Sequence, residues 1–120
     1  MIQGGCFCEN IRYAIDEGNY GVVNCHCTMC RKTSAAPFVS WLVIPRKAFH
    51  YLSGEPKVLV SSDKGLREFC PDCGTPLTFV SSDRPDGIDI TTGSLDAPDD
   101  FIPTTAVHED SKLKWLRSTE

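Results

Sequence analysis

Short apolar or alternating stretches recur roughly every ten residues along the chain, separated by Gly, Pro, Asp and Ser, and this spacing predicts an all-β fold. Residues 10–15 alternate with period two, which places Ile11, Tyr13 and Ile15 on one face before Asp16-Glu17-Gly18-Asn19 turns the chain. Residues 38–44 are apolar nearly throughout and rich in β-branched and aromatic side chains. They read as a central strand covered on both faces and ended by Pro45. Further strands are expected at 58–61, 66–69, 77–80, 88–92 and 104–107. Turn chemistry lies at Ser53-Gly54, Asp63-Lys64-Gly65, Arg84-Pro85-Asp86-Gly87 and Ala97-Pro98-Asp99-Asp100. Only 28–34 and 45–51 suit a helical turn or two, and with no repeat, linker or low-complexity tract, residues 1–120 are expected to form one domain.

Composition narrows the function classes. The 41% hydrophobic and 23% charged content is that of a soluble globular protein, and no apolar run reaches the length of a membrane span, so no membrane role is expected. A formal net charge of −4 lacks the positive footprint that nucleic-acid binding needs. Nothing at Met1-Ile2-Gln3-Gly4-Gly5 resembles a secretory signal, so a reducing, cytoplasmic setting is expected.

Seven cysteines change the picture. They fall in three clusters, Cys6-x-Cys8, Cys25-x-Cys27-x-x-Cys30 and Cys70-x-x-Cys73. Disulfides fit badly: an odd count strands one thiol, and neighbours one or two residues apart bond to each other only in strained geometry. Zinc fits better. A closed structural site takes four ligands, and the three left over make a site with an open position, so one structural and one functional metal are expected. Cys70-Pro71-Asp72-Cys73-Gly74 has the form of a zinc knuckle, in which Gly74 takes unusual backbone angles, and Cys6 and Cys8 at the start of the first hairpin supply its second pair. If those two lie on a strand, their side chains share a face.

Cys25, Cys27 and Cys30 can converge where a strand turns into a short helix, whose first N–H groups favour thiolates. A zinc holding three thiolates is electron-rich. It is better matched to holding another thiol as a nucleophile than to acidifying water. Arg31 and Lys32 either hold substrate carboxylates or are solvated charges; His26, between two ligands, is expected to pack or support rather than ligate. His50 is expected to be structural or at the surface. His108 is either an acid/base or substrate contact or a partly buried structural histidine, and Trp41 and Trp115 are expected in the core or a pocket wall.

Gly5-Cys6-Phe7-Cys8 with Ile11-Arg12-Tyr13, then Cys25-His26-Cys27-Thr28-Met29-Cys30-Arg31, then Phe69-Cys70-Pro71-Asp72-Cys73-Gly74-Thr75-Pro76-Leu77, with His108 and Trp115-Leu116, resembles the glutathione-dependent formaldehyde-activating enzyme family over almost the whole chain. The resemblance implies an all-β, Mss4-like fold of antiparallel sheets around a structural zinc, with only short helical turns. It implies Cys6, Cys8, Cys70 and Cys73 as structural zinc ligands and Cys25, Cys27 and Cys30 as ligands of a second, catalytic zinc; a site with only three protein ligands can also be empty as purified. The candidate catalytic set is thus Cys25, Cys27, Cys30, Arg31 and His108. The implied activity is that of a carbon–sulfur lyase run in the direction of synthesis, joining formaldehyde to the glutathione thiol. The same fold serves in a chaperone of small GTPases, so a non-catalytic zinc-binding interaction module is the alternative, against which the third cysteine cluster weighs.

Overall fold

The computed structural model describes residues 1–116. Its strands in chain order are β1 (Ile2–Gly5), β2 (Arg12–Ile15), β3 (Gly21–Cys25), β4 (Val39–Pro45), β5 (Phe49–Ser53), β6 (Lys57–Val60), β7 (Gly65–Phe69), β8 (Pro76–Ser81), β9 (Gly87–Thr91) and β10 (Thr105–Val107). Among the described residues the one α-helix is α1 (Thr28–Ser34), with single 3₁₀ turns elsewhere, so the chain is mostly β-sheet as expected. β1, β2 and β5 form a three-stranded antiparallel sheet, and the other seven form a second sheet in the order β10-β3-β4-β9-β8-β7-β6. One pair departs from the antiparallel expectation: β10 runs parallel to β3, with Val107 opposite Cys25.

Alternation decides which face each strand buries. On β4, Leu42 and Ile44 enter the main core with Ile11, Tyr13, Ile15, Leu77 and Ile90, whereas Val39 and Trp41 project to the other face with Cys25 and Cys30. The strand is therefore covered on both sides, and Ile11, Tyr13 and Ile15 are buried together as the pattern required. Cys6 and Cys70 belong to the main core, so one cysteine cluster is tied into the hydrophobic packing.

The expected helical turn over 45–51 is replaced by one 3₁₀ turn, Arg46–Ala48, and then β5. Pairing with β2 supplies backbone hydrogen bonds, and Phe49 packs on Tyr13 and edge-on to Tyr51 at 5.2 and 4.8 Å, which outweighs a weak helical preference.

β1 contains two glycines and gives no strand signal in the sequence. It forms because Gly4 passes hard against the Tyr13 hydroxyl and the Ser94 carbonyl, where any Cβ would collide. That hydroxyl shares a buried 2.6 Å hydrogen bond with Ser94. Gly4→Ala is expected to cost about 1–3 kcal/mol of stability, as overpacking does. Chemical denaturation measures it, and an unchanged midpoint would show that the strand relaxes freely.

Candidate metal centres

The turn after β1 and the turn between β7 and β8 bring four sulfurs together. The Sγ atoms of Cys6, Cys8, Cys70 and Cys73 all lie within 4.8 Å of one another, with Cys6 to Cys8 at 3.5 Å and Cys8 to Cys70 at 3.7 Å. A tetrahedral zinc with Zn–S bonds of about 2.3 Å needs sulfur–sulfur edges of about 3.8 Å, so these spacings fit that ion. Cys6 and Cys8 sit in a turn rather than on a strand, so the turn, not strand alternation, aims them at one point. Gly74 adopts φ +81° and its N–H donates to the Cys70 carbonyl at 2.8 Å, closing the knuckle as expected for a residue free of Cβ strain. The Ile11 N–H donates to Cys6 Sγ at 3.3 Å. The Thr75 hydroxyl and backbone N–H hold the Cys73 thiol down to about 5, so a thiolate is favoured there. Asn10 to Asp72 (2.7 Å) and the Phe7 N–H to Thr75 (3.0 Å) tie the two turns together.

The second cluster lies on the other face of the large sheet. Cys25 ends β3, Cys27 caps α1 and Cys30 sits in its first turn; their sulfurs also fall within 4.8 Å of one another. The Cys27 sulfur accepts the Cys30 N–H at 3.2 Å, so the cap that starts the helix also orients one of the three clustered sulfurs. Hydrogen bonding from Cys25, helped by Cys27 and Arg67, pulls the Cys30 thiol down to about 5 against the effect of burial. The same contact, with burial, pushes Cys25 well above the ordinary thiol range. A cation that displaced the thiol protons of this cluster would bind with proton release.

Unlike the first cluster, this one opens on a cleft of about 440 Å³. Its floor is one alternate-residue face of the sheet: Val23 on β3, Trp41 and Val43 on β4, Asp89 on β9, Phe79 on β8 and Arg67 on β7. Register places Val43 opposite Asp89, Asp89 opposite Phe79 and Phe79 opposite Arg67, a row running directly across four strands. Arg84 holds Asp89 bidentately at 2.8 and 3.2 Å, although burial still raises the Asp89 carboxyl. His108 reaches the rim because β10 pairs with β3; it adopts φ 55° and is exposed.

Other expected residues fall elsewhere. Arg31 and Lys32 line a separate groove with Ala35 and Leu113, not the cysteine cleft, because α1 directs them away from it. The cleft's basic groups are Arg67 and Arg84, which the sequence did not mark: Arg67 alternates with Leu66, and here the charged residue faces inward while Leu66 is 40% exposed. Among the described residues His26 is buried outside the sulfur cluster, its ring 5.1 Å from Phe38 and both ring nitrogens without a hydrogen-bond partner, the placement of a packing residue. His50 pairs with Asp16 at 3.0 Å on the surface. Trp41 is buried in the cleft wall as expected. Trp115 is 69% exposed, which corrects its assignment to a core or wall: the C-terminal turn carrying it leaves the indole in solvent.

Among the described residues no helix is long and apolar enough to cross a membrane. The fold is shared with the crystal structure of a Rhodobacter sphaeroides protein, which is 15% identical, covers 88% of this chain and 99% of that one, and superposes with a TM-score of 0.72. Among curated proteins, no sequence matches this chain. The sequence profile of the glutathione-dependent formaldehyde-activating enzymes matches residues 1–111, a span that includes both cysteine clusters and His108. The chain belongs to the glutathione-dependent formaldehyde-activating enzyme family.

Proposed function

We propose that the protein is a zinc-dependent enzyme of the carbon–sulfur lyase type that adds a thiol, glutathione by family, to formaldehyde or a related small electrophile. One observation carries this reading: four cysteine sulfurs converge where Cys6 and Cys70 join the main core, while three others face a cleft where, among the described residues, no fourth Cys, His, Asp or Glu joins them. Zinc in the closed site is structural. Zinc held by Cys25, Cys27 and Cys30 would supply a soft, electron-rich centre whose open position suits a thiol.

The surrounding residues then set the chemistry. Val23, Trp41, Val43 and Phe79 give the cleft apolar walls that limit water around the reacting sulfur. His108, which lines the cleft, would accept the thiol proton and return it to the oxygen of the adduct. The balance is simple: the S–H bond breaks, a C–S bond forms at the aldehyde carbon, the C=O π bond opens, and the oxygen takes the proton. No oxidant or reductant is needed, and the enzyme's contribution is positioning and a stabilised thiolate. The seven cysteines are all free, in keeping with a reducing, cytoplasmic setting. We read residues 1–120 as one functional unit with two zinc ions and no nucleic-acid or membrane partner.

NMR exchange spectroscopy on labelled formaldehyde and glutathione tests the proposal. Interconversion with S-hydroxymethylglutathione should be faster with zinc-loaded protein than in its absence. If both metals are bound and the rate stays at background, this thiol and aldehyde are not the substrates.

A further inference from the structure

Arg67 is 7% exposed, yet it has no carboxylate partner within ion-pair distance among the described residues, since Arg84 takes Asp89. Its guanidinium lies 4.6 Å over the Phe79 ring, and its Nε is buried without a hydrogen-bond partner. Both terminal nitrogens point at one atom, Cys30 Sγ, at 3.7 and 3.9 Å. Burying a guanidinium against a neutral thiol and an aromatic face leaves most of its desolvation cost uncompensated. Against a cluster of thiolates the same placement is favourable, because three thiolates around a divalent ion leave a net negative charge in a partly buried site.

We propose that Arg67 is the charge-compensating, positioning residue of the three-cysteine centre: it donates to the Cys30 thiolate, fixes that sulfur's orientation, and offsets the negative charge of the loaded site. The inference rests on reading Cys25, Cys27 and Cys30 as a metal centre. Its consequence for substrate class follows from charge. With Arg67 in place the open position tolerates an anionic fourth ligand such as a thiolate; without it, the fourth ligand would meet an uncompensated negative centre.

The test is metal binding with no thiol or aldehyde present, so it stands apart from the catalytic reading. Arg67→Met keeps the aliphatic stem over Phe79 and removes the charge, whereas Arg67→Lys keeps the charge. Chelator competition should show second-site zinc affinity falling about 10- to 100-fold in Arg67→Met, the range for loss of a group that supports a ligand. Arg67→Lys keeps the charge but not the planar two-nitrogen fork stacked on Phe79, so it should lose less affinity than Arg67→Met without matching the wild type, and the four-cysteine site should be unaffected in both. In the cobalt-loaded protein, the sulfur-to-cobalt charge-transfer band of the second site should move to lower energy in Arg67→Met, because a thiolate relieved of a hydrogen-bond donor gives up its electrons more readily. Unchanged affinity and an unmoved band in a folded Arg67→Met protein overturn the proposal. Should that variant not fold, wild-type second-site affinity in Arg67→Gln, which keeps a donor but removes the charge, overturns it as well. A wild-type protein that binds only one metal refutes the metal-centre reading itself and this inference with it.

Discussion

Cys70→Ala is expected to unfold the protein at temperatures where the wild type is fully folded. Cys70 is completely buried in the main core and its sulfur lies 3.7 Å from that of Cys8. Two losses add at this position. Removing a buried sulfur costs about 1–2 kcal/mol in packing. Losing a structural zinc costs far more: such ions contribute about 10–16 kcal/mol to folding, whereas the net stability of a domain is about 5–15 kcal/mol. The metal term decides the outcome, because the two turns that carry the ligands connect β1 to β2 and β7 to β8 and so link the two sheets. Circular dichroism melts with zinc stoichiometry measure the effect. A Cys70→Ala protein with a near-native melt and no metal in that site would mean that hydrophobic packing alone closes the fold.

The contrast between the two sheets explains what the sequence disclosed. Strands β7, β8 and β9 are legible because each is an apolar or β-branched run bounded by turn residues, and α1 is legible over 28–34 because Cys27 and the residues after it form a local start signal. β1 was not legible, since its glycines carry no strand preference and the strand exists only through Tyr13 and Ser94. β5 was misread because its decisive partners, Tyr13 and β2, lie more than thirty residues away. The parallel pairing of β10 with β3 is a tertiary choice of the same kind, and it is what brings His108 to the cleft.

The same division runs through the site. Metal-ligand spacing is local, so the seven cysteines and their division into four and three could be read from one dimension. Arg67, Phe79 and Asp89 come from three strands and meet only through register, so no motif announces them. Arg31 illustrates the converse: adjacency to Cys30 in sequence suggested a role in the cleft, but one helical step turns the side chain toward another groove.

Cys27→Ala should separate function from fold. Cys27 is only partly buried and lies outside the main core, packing against the smaller cluster of Cys25, Cys30, Val39 and Trp41. The substitution removes the sulfur that accepts the Cys30 N–H at the start of α1, a loss of about 1 kcal/mol for a helix cap. It also leaves only two sulfurs of the proposed three-sulfur centre, too few for a stable zinc site. The expected protein is folded, holds one zinc instead of two, and has lost its acceleration of thiol addition to formaldehyde by about 100-fold or more, the scale on which positioned reactants and a stabilised nucleophile act. Zinc stoichiometry, a thermal melt and the NMR exchange rate on the same sample check the three parts together. Full activity with one zinc per chain would move the chemistry away from Cys25, Cys27 and Cys30. Loss of the fold would show that the three-cysteine centre is itself part of what holds the sheets in place.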